Sequence, residues 1–254
     1  MAEEILKRKR ETIEKLKQRR SIKEAILEAK KAGKRPLIAE VKRRGLKAGE
    51  EAVEIESAEA ANQMEKGGAC AISVLTDEAF SGGLEDLKTV KLSVDLPVLR
   101  KDFIFDDFQV YESHAYGANA ILLIARFLSA ARLNELAKMA SSLGMESVIE
   151  IDSESKDKIF DADLDLPEIS SSSLIGINNR DLNTFEVNLA TFEQIAPVVK
   201  PQLPADVPLV AMSGIDSKED ARRMFDAGAD ALLVGTSIMN TENIEGKVRN
   251  LVNI

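Results

Sequence analysis

Glu40 and Lys42 stand two residues apart where the apolar run LIAEV ends, and on an extended chain that spacing turns both to one face. Three more short apolar runs end in groups that can carry chemistry. Lys101 keeps the parity of Leu99 in PVLRKD, Glu150 closes SVIE, and Asn178 with Arg180 follows LIGI. A lysine facing carboxylates can donate a proton to a carbonyl, and a desolvated carboxylate can take one from carbon. A charge at the end of a buried strand is costly unless paired, so Glu40, Lys42, Lys101 and Glu150 together point to one shared site rather than to solvated rims. The chemistry is acid–base work on a carbon skeleton. One His and one Cys leave no cluster to hold a metal, and none is expected. His114 falls in an expected helix over 107–116, away from these ends, and Cys70 in an apolar setting is expected to be inert.

Two further segments, Ser213-Gly214-Ile215 and Gly235-Thr236-Ser237, follow apolar runs late in the chain. Glycine lets a backbone approach oxyanions closely, and hydroxyls add donors, so these segments suit a phosphate. The expected ligand is a phosphorylated small molecule.

Such residues can meet only if the elements carrying them converge. Short runs rich in Val, Ile and Leu predict strands over Leu37–Val41, Ala71–Leu75, Pro97–Arg100, Ala120–Ile124, Ser147–Glu150, Leu174–Ile177, Pro208–Ala211 and Ala231–Val234. Helical spacing fills the gaps, as over 52–66 and Leu128–Leu143, with Asp216 or Ser217 as a helix cap. Gly117, Gly144 and Gly228 stand where left-handed helix stops are needed. The acidic stretch Ile151–Asp165 reads as a solvated helix face and loop, and Ser170–Ser173 as a surface loop. Eight strand–helix units predict an α/β chain folded as a (β/α)8 TIM barrel, whose strand ends share one mouth. An open doubly wound sheet is the weaker reading, because Lys42-Arg43-Arg44 replaces the Gly-rich turn after the first strand. Residues 1–35 form an N-terminal helical extension, with helices over 3–19 and 21–32 packed on a barrel of 36–254.

The bulk composition narrows the class. The 254 residues carry a formal charge of −9, with 44% hydrophobic and 30% charged residues, an ordinary globular balance. That acidity gives no general footprint for nucleic acid or an anionic membrane, and no run reaches the roughly 18 apolar residues of a span. The first residues are too charged for a signal peptide, and a lone Cys suits a reducing compartment, so a cytoplasmic chain is expected. A monomer, or at most a weak dimer, is the expected state.

The motifs IAEVKR (38–43), LTDEAFSGG (75–83), PVLRKDFI (97–104), AILLIARFL (120–128), IGINNRDLNTFEV (175–187), MSGI (212–215) and LLVGTSIM (232–239) resemble, in order and spacing, the indole-3-glycerol phosphate synthase family of tryptophan biosynthesis. The resemblance covers nearly the whole chain. It implies conversion of 1-(2-carboxyphenylamino)-1-deoxyribulose 5-phosphate to indole-3-glycerol phosphate with loss of CO2 and water, by a carboxy-lyase needing no cofactor. Under it Lys101 matches the general acid at the substrate carbonyl, and Lys42 the lysine that holds the departing carboxylate. Glu150 matches the general base, and Glu40 a carboxylate that assists deprotonation and dehydration. Asn178 and Arg180 match orienting residues, and Phe80 and Leu122 contacts to the aromatic ring. Ser213, Gly214, Gly235 and Thr236 match phosphate binders.

Three departures from the family pattern bear on function. Gly45-Leu46-Lys47 replaces the usual Ser-Pro-Ser, so Gly45 and Lys47 are expected to contribute a backbone N–H and a charge to an altered phosphate site. The loop after the second strand is one residue shorter, with Gly83 in place of serine, which bears on how Phe80 sits. Met212 occupies the place of a substrate-positioning glutamate, and a thioether can neither take a proton nor pair with a lysine. The alternatives are another phosphate-binding barrel such as a sugar-phosphate isomerase, a repurposed or impaired barrel, or a non-catalytic phosphate-ligand scaffold.

Overall fold

The structure, a computed structural model, describes residues 1–42, 55–161, 164 and 172–254. Two helices, α1 (Ala2–Lys17) and α2 (Ile22–Lys31), precede the first strand. The strands are β1 (Leu37–Val41), β2 (Ala71–Leu75), β3 (Val98–Lys101), β4 (Ala120–Ile124), β5 (Glu146–Ile151), β6 (Ser173–Asn178), β7 (Leu209–Met212) and β8 (Ala231–Val234). Each pairs in parallel with the next and β8 returns to β1, so the sheet is a closed barrel and not an open one. Helices α3 (Ser57–Gly67), α4 (Leu84–Ser93), α5 (Asp107–Ala115), α6 (Ala130–Ser142), α7 (Ala190–Val199) and α8 (Lys218–Asp226) follow β1, β2, β3, β4, β6 and β7, and α9 (Thr236–Met239) and α10 (Ile244–Val252) follow β8.

Strand parity divides the apolar residues into two buried sets. Ile72, Val74, Ile121, Leu123, Ile149 and Ile175 point outward and meet the helices. Ile38, Leu99, Leu122, Val148, Val210 and Leu233 point inward and fill the barrel. Both faces of every strand are covered, which is why the strands read as unbroken apolar runs. Gly117, Gly144 and Gly228 all have positive φ, and Ser217 caps α8 through a reciprocal box with Asp220.

The differences from expectation are local. The helix placed over 52–66 begins at Ser57, because Ile55 and Glu56 are outside it; residues 52–54 lie outside the described residues. Ser173, expected in a surface loop, is fully buried at the start of β6. The acidic stretch after β5 holds a 3-10 turn, Lys156–Phe160, that buries Ile159. No helix among the described residues is long and apolar enough to cross a membrane.

The N-terminal helices sit at the end of the barrel opposite the strand exits. Ile22 and Ile26 of α2 join the inward apolar set, and Glu146, at the entry of β5, accepts hydrogen bonds from Ser21 Oγ (2.5 Å) and Ile22 N (2.6 Å). Lys23 pairs with Asp206 (3.1 Å), before β7. Helix α2 is thus a floor plug. Helix α1 buries no residue; Lys15 Nζ donates to Leu92 O at the end of α4.

Candidate active site

The strand exits surround a cavity of about 250 Å³. Glu40, Lys42, Lys101, Glu150, Asn178, Arg180 and Met212 all line it, with Phe80 and Leu122 as apolar wall and Ser213, Gly214, Gly235 and Thr236 at one side. Gly45 and Lys47 lie outside the described residues. Every other candidate read from the sequence is therefore brought to one place.

Parity explains the convergence. Arg100 points outward, where it is buried against Asp102 and Glu112 (2.9 Å each), so Lys101 turns inward. Its Nζ lies 3.7 Å from Glu40 Oε2. Burial alone would pull the Lys101 ammonium down, but the facing Glu40 and Glu150 carboxylates outweigh it, and the group is held above the ordinary lysine range. Lys101 therefore carries its proton at neutral pH. Lys42, two residues beyond Glu40, donates to Thr236 Oγ1 (2.6 Å).

Glu150 is buried at the end of β5, and Asn178 Nδ2 donates to its Oε1 (2.9 Å). Burial raises its carboxyl above the ordinary range; Lys101 and Asn178 oppose the rise, and the charges of Asp152 and Glu40 add to it. A carboxylate so placed binds a proton more tightly than one in water, which is what a base needs. Asn178 Oδ1 accepts from the Arg180 backbone N (2.9 Å), and Arg180 Nη1 donates to Phe185 O (2.9 Å), tying β6 to its loop.

The two Gly-containing segments are braced. Ser213 and Gly214 both have positive φ, +69° and +77°, and a Cβ on Gly214 would come within 2.2 Å of Val187 Cγ1, so glycine alone fits there. The side chain of Asn179, itself buried, donates to Ser213 O (3.2 Å), and its backbone N donates to Met212 O (2.9 Å). Ser237 Oγ reaches Ile215 O (3.0 Å), linking the segment after β7 to that after β8. A Cβ on Gly235 would meet Glu40 Oε1 at 2.5 Å, so this glycine leaves the room that Glu40 occupies.

Met212 is buried in register with Asn178, and its thioether lies over Gly176, where an added Cβ would be 2.4 Å from Sδ. The wall formed by β7 and β8 is accordingly apolar, with Met212 beside Leu233. The shortened loop after β2 still brings Phe80 to the cavity: Gly82 folds onto the β2 end, where a Cβ would strike Leu75 O at 2.1 Å.

Reasoning from strand ends missed several residues that the fold adds. Phe103 lines the cavity and stacks at a tilt on Phe127 (5.9 Å between centroids), and Leu182, Phe185 and Val187 complete the apolar rim. Asn179, Arg126 and Asp152 brace the rim. Phe103, Arg126 and Asp152 lie two residues beyond Lys101, Ile124 and Glu150, so continuing the inward parity past each strand would have found them. Away from the mouth, Cys70 is buried with its thiol pushed up to about 12 by burial, and His114 contacts Arg19 (2.9 Å). Among the described residues no group of three or more His, Cys, Asp or Glu is arranged to hold a metal.

Residues 2–251 match the family model described as indole-3-glycerol phosphate synthase. The chain is 39% identical over 220 residues to the indole-3-glycerol phosphate synthase of Dehalococcoides mccartyi (strain CBDB1), covering 85% of this chain and 81% of that protein. It is 41% identical over 221 residues to the protein of the same name from Carboxydothermus hydrogenoformans, covering 86% and 80%. Among solved structures, a tryptophan synthase alpha chain from Legionella pneumophila superposes with a TM-score of 0.62 at 14% identity, over 91% of this chain and 94% of that one. Thiamine phosphate pyrophosphorylase from Pyrococcus furiosus does so at 0.59 and 19% identity, over 85% and 93%. These two share the fold alone.

Proposed function

The chain belongs to the indole-3-glycerol phosphate synthase family and is a carboxy-lyase of tryptophan biosynthesis; from that premise we propose how its mouth divides the work. The reaction converts 1-(2-carboxyphenylamino)-1-deoxyribulose 5-phosphate to indole-3-glycerol phosphate, CO2 and water. The observation that carries the division is Lys101 standing between two carboxylates, Glu40 and Glu150, in one buried mouth.

As the aromatic ring carbon attacks the ketone, negative charge grows on the carbonyl oxygen, and the Lys101 ammonium donates its proton there. Lys42, held by Thr236, neutralises the carboxylate that leaves as CO2. The hydroxyl so formed then leaves as water, taking a second proton from Lys42, and the neighbouring carbon loses a proton as the new ring becomes conjugated. Glu150, steadied by Asn178, takes the proton, and Glu40 assists from across the mouth. Arg180 adds a third cation for the anionic substrate, while Phe80 and Leu122 hold the anthranilate ring. The braced segments at Ser213-Gly214 and Gly235-Thr236 receive the phosphate, with Gly45 and Lys47 adding to them.

Met212 removes one carboxylate from this mouth. The Lys101 and Glu150 roles stand without it, and the consequence is a slower enzyme rather than an inert barrel. The partner is a phosphorylated small molecule, handled by a monomeric cytoplasmic chain whose extension over 1–35 serves the barrel of 36–254.

Incubating the purified chain with the carboxyphenylamino deoxyribulose phosphate tests this reading. One CO2 released per indole fluorophore formed supports it. Isomerised sugar phosphate without CO2, or binding without turnover, refutes it.

A further inference from the structure

Arg126 leaves β4 two residues after Ile124, and its largely buried guanidinium sits among the exits of three strands. Its Nη1 is 2.8 Å from Asp152 Oδ2 after β5 and 3.9 Å from Asp181 Oδ1 after β6, and its Nη2 contacts Glu154. Directly beneath, the Ala125 N–H donates to Glu150 O (2.9 Å), so the residue before Arg126 is bonded to the backbone of the base. Asp152 is buried, two residues beyond Glu150. Its Oδ1 accepts from Glu154 N (3.0 Å), Ser155 N (2.9 Å) and Ser155 Oγ (2.7 Å), which fix the side chain in place. A fixed carboxylate this close to another would disfavour ionisation of the second unless a cation answers it.

We propose that Arg126 is a positioning residue for Glu150: as the counter-ion of Asp152 it screens the base from that carboxylate, and by spanning β4, β5 and β6 it holds Glu150 and Arg180 in register. The proposal rests on the reading of Glu150 as general base. The charged groups bearing on Glu150 are Lys101 from β3, Glu40 from β1 and Asp152 from β5, while Asn178 donates from β6; Leu122, Ile124 and Met212 bring none from β4 and β7. Lys101 and Asn178 favour the ionised base and the two carboxylates oppose it. Arg126 acts on one of those carboxylates without touching Glu150's cavity-facing atoms.

The sign follows from the charges. Removing Arg126 leaves Asp152 unanswered, so Glu150 holds its proton to higher pH and the acid limb of kcat/KM moves up. Removing Asp152 alone takes away a negative charge that opposes ionisation of Glu150, while Arg126 keeps Glu154 and Asp181, and the limb moves down. Removing both returns it near the parent.

The experiment measures kcat/KM against pH for Arg126→Met, Arg126→Lys, Asp152→Asn and the double variant, beside the carboxyl titration of Glu150 followed by 13C NMR of the glutamate-labelled chain and assigned with Glu150→Gln. Arg126→Met is expected to raise the limb and the titration by about half a pH unit, about a threefold extra loss of kcat/KM on the acid side. Arg126→Lys restores both, and the double variant falls between the singles. An unmoved limb and titration in Arg126→Met, with rate lost evenly at all pH values, would overturn the proposal and leave Arg126 a structural brace. Should Arg126→Met fail to fold, opposite shifts in Asp152→Asn and parent-like values in the double variant decide in its place. Parent-like turnover in Glu150→Gln would sink the base assignment instead, and the NMR titration would still judge Arg126.

Discussion

Replacing Met212 with glutamate puts a carboxylate into the mouth at the place where the family resemblance implies one. The site can take it. Met and Glu have similar length, Gly176 leaves space beneath the side chain, and the register partner is the amide-bearing Asn178. Three cations, Lys42, Lys101 and Arg180, line the cavity beside Glu40, Glu150, Asp102 and Asp216, so an added carboxylate meets cations in the same mouth but must compete with carboxylates already there. An unpaired ionised carboxylate beside Leu233 and Val210 would cost several kcal/mol. A charge-assisted bond to one of the cations returns about 1.5–3 kcal/mol. Some of that gain is spent on desolvation, and about 1.4 kcal/mol reaching the transition state would raise kcat/KM about tenfold. The assay is indole fluorescence under limiting substrate from pH 5.5 to 8.5, for Met212→Glu beside the parent. The gain should grow with pH as the new carboxyl ionises. Urea unfolding should show a loss of no more than about 3 kcal/mol. A kcat/KM equal to or below the parent at every pH would refute the reasoning and show that this chain does not use position 212 for substrate.

Gly214→Ala forces a Cβ to within 2.2 Å of Val187 at a φ of +77°, so the braced segment must move; KM should rise at least about tenfold with a smaller change in kcat, read from initial rates. Ile26→Ala hollows the floor plug and should cost about 2–5 kcal/mol in urea unfolding while kcat/KM holds, since the floor is at the far end from the chemistry. Lys91, buried beneath Gln18 O and Asn119 Oδ1, is pushed down to about 8 by burial and by Arg20, Arg19 and Lys15. Between about pH 8 and the ordinary lysine value, the unfolded chain binds the proton that the folded chain releases. Stability of the parent relative to Lys91→Met should therefore rise across that window and be flat below it, in urea midpoints taken from pH 7 to 10.

The barrel was legible because a strand buried on both faces must be apolar at every position, and LIAEV, AISVL and AILLI are nearly so. The mouth was legible because Glu40, Lys101 and Glu150 interrupt that rule at strand exits, where parity turns them inward. Other features depend on which elements meet in space. Spacing marks Ile22 and Ile26 as buried, yet only the pairing of Ser21 and Ile22 with Glu146 puts them at the floor. Helix α1 has an apolar stripe of the same kind and buries no residue. Asn179 reads as a loop residue in INNRDL, and its bond to Ser213 O exists only once β6 and β7 are neighbours.

The division of labour between an acid and a base in one mouth is tested most directly by kcat/KM for indole formation in Lys101→Ala and Glu150→Gln, each confirmed as folded by its unfolding midpoint. Both should fall at least about 10²-fold, the contribution of a positioned proton donor or acceptor. A parent-like rate in either variant would contradict the role assigned to that residue.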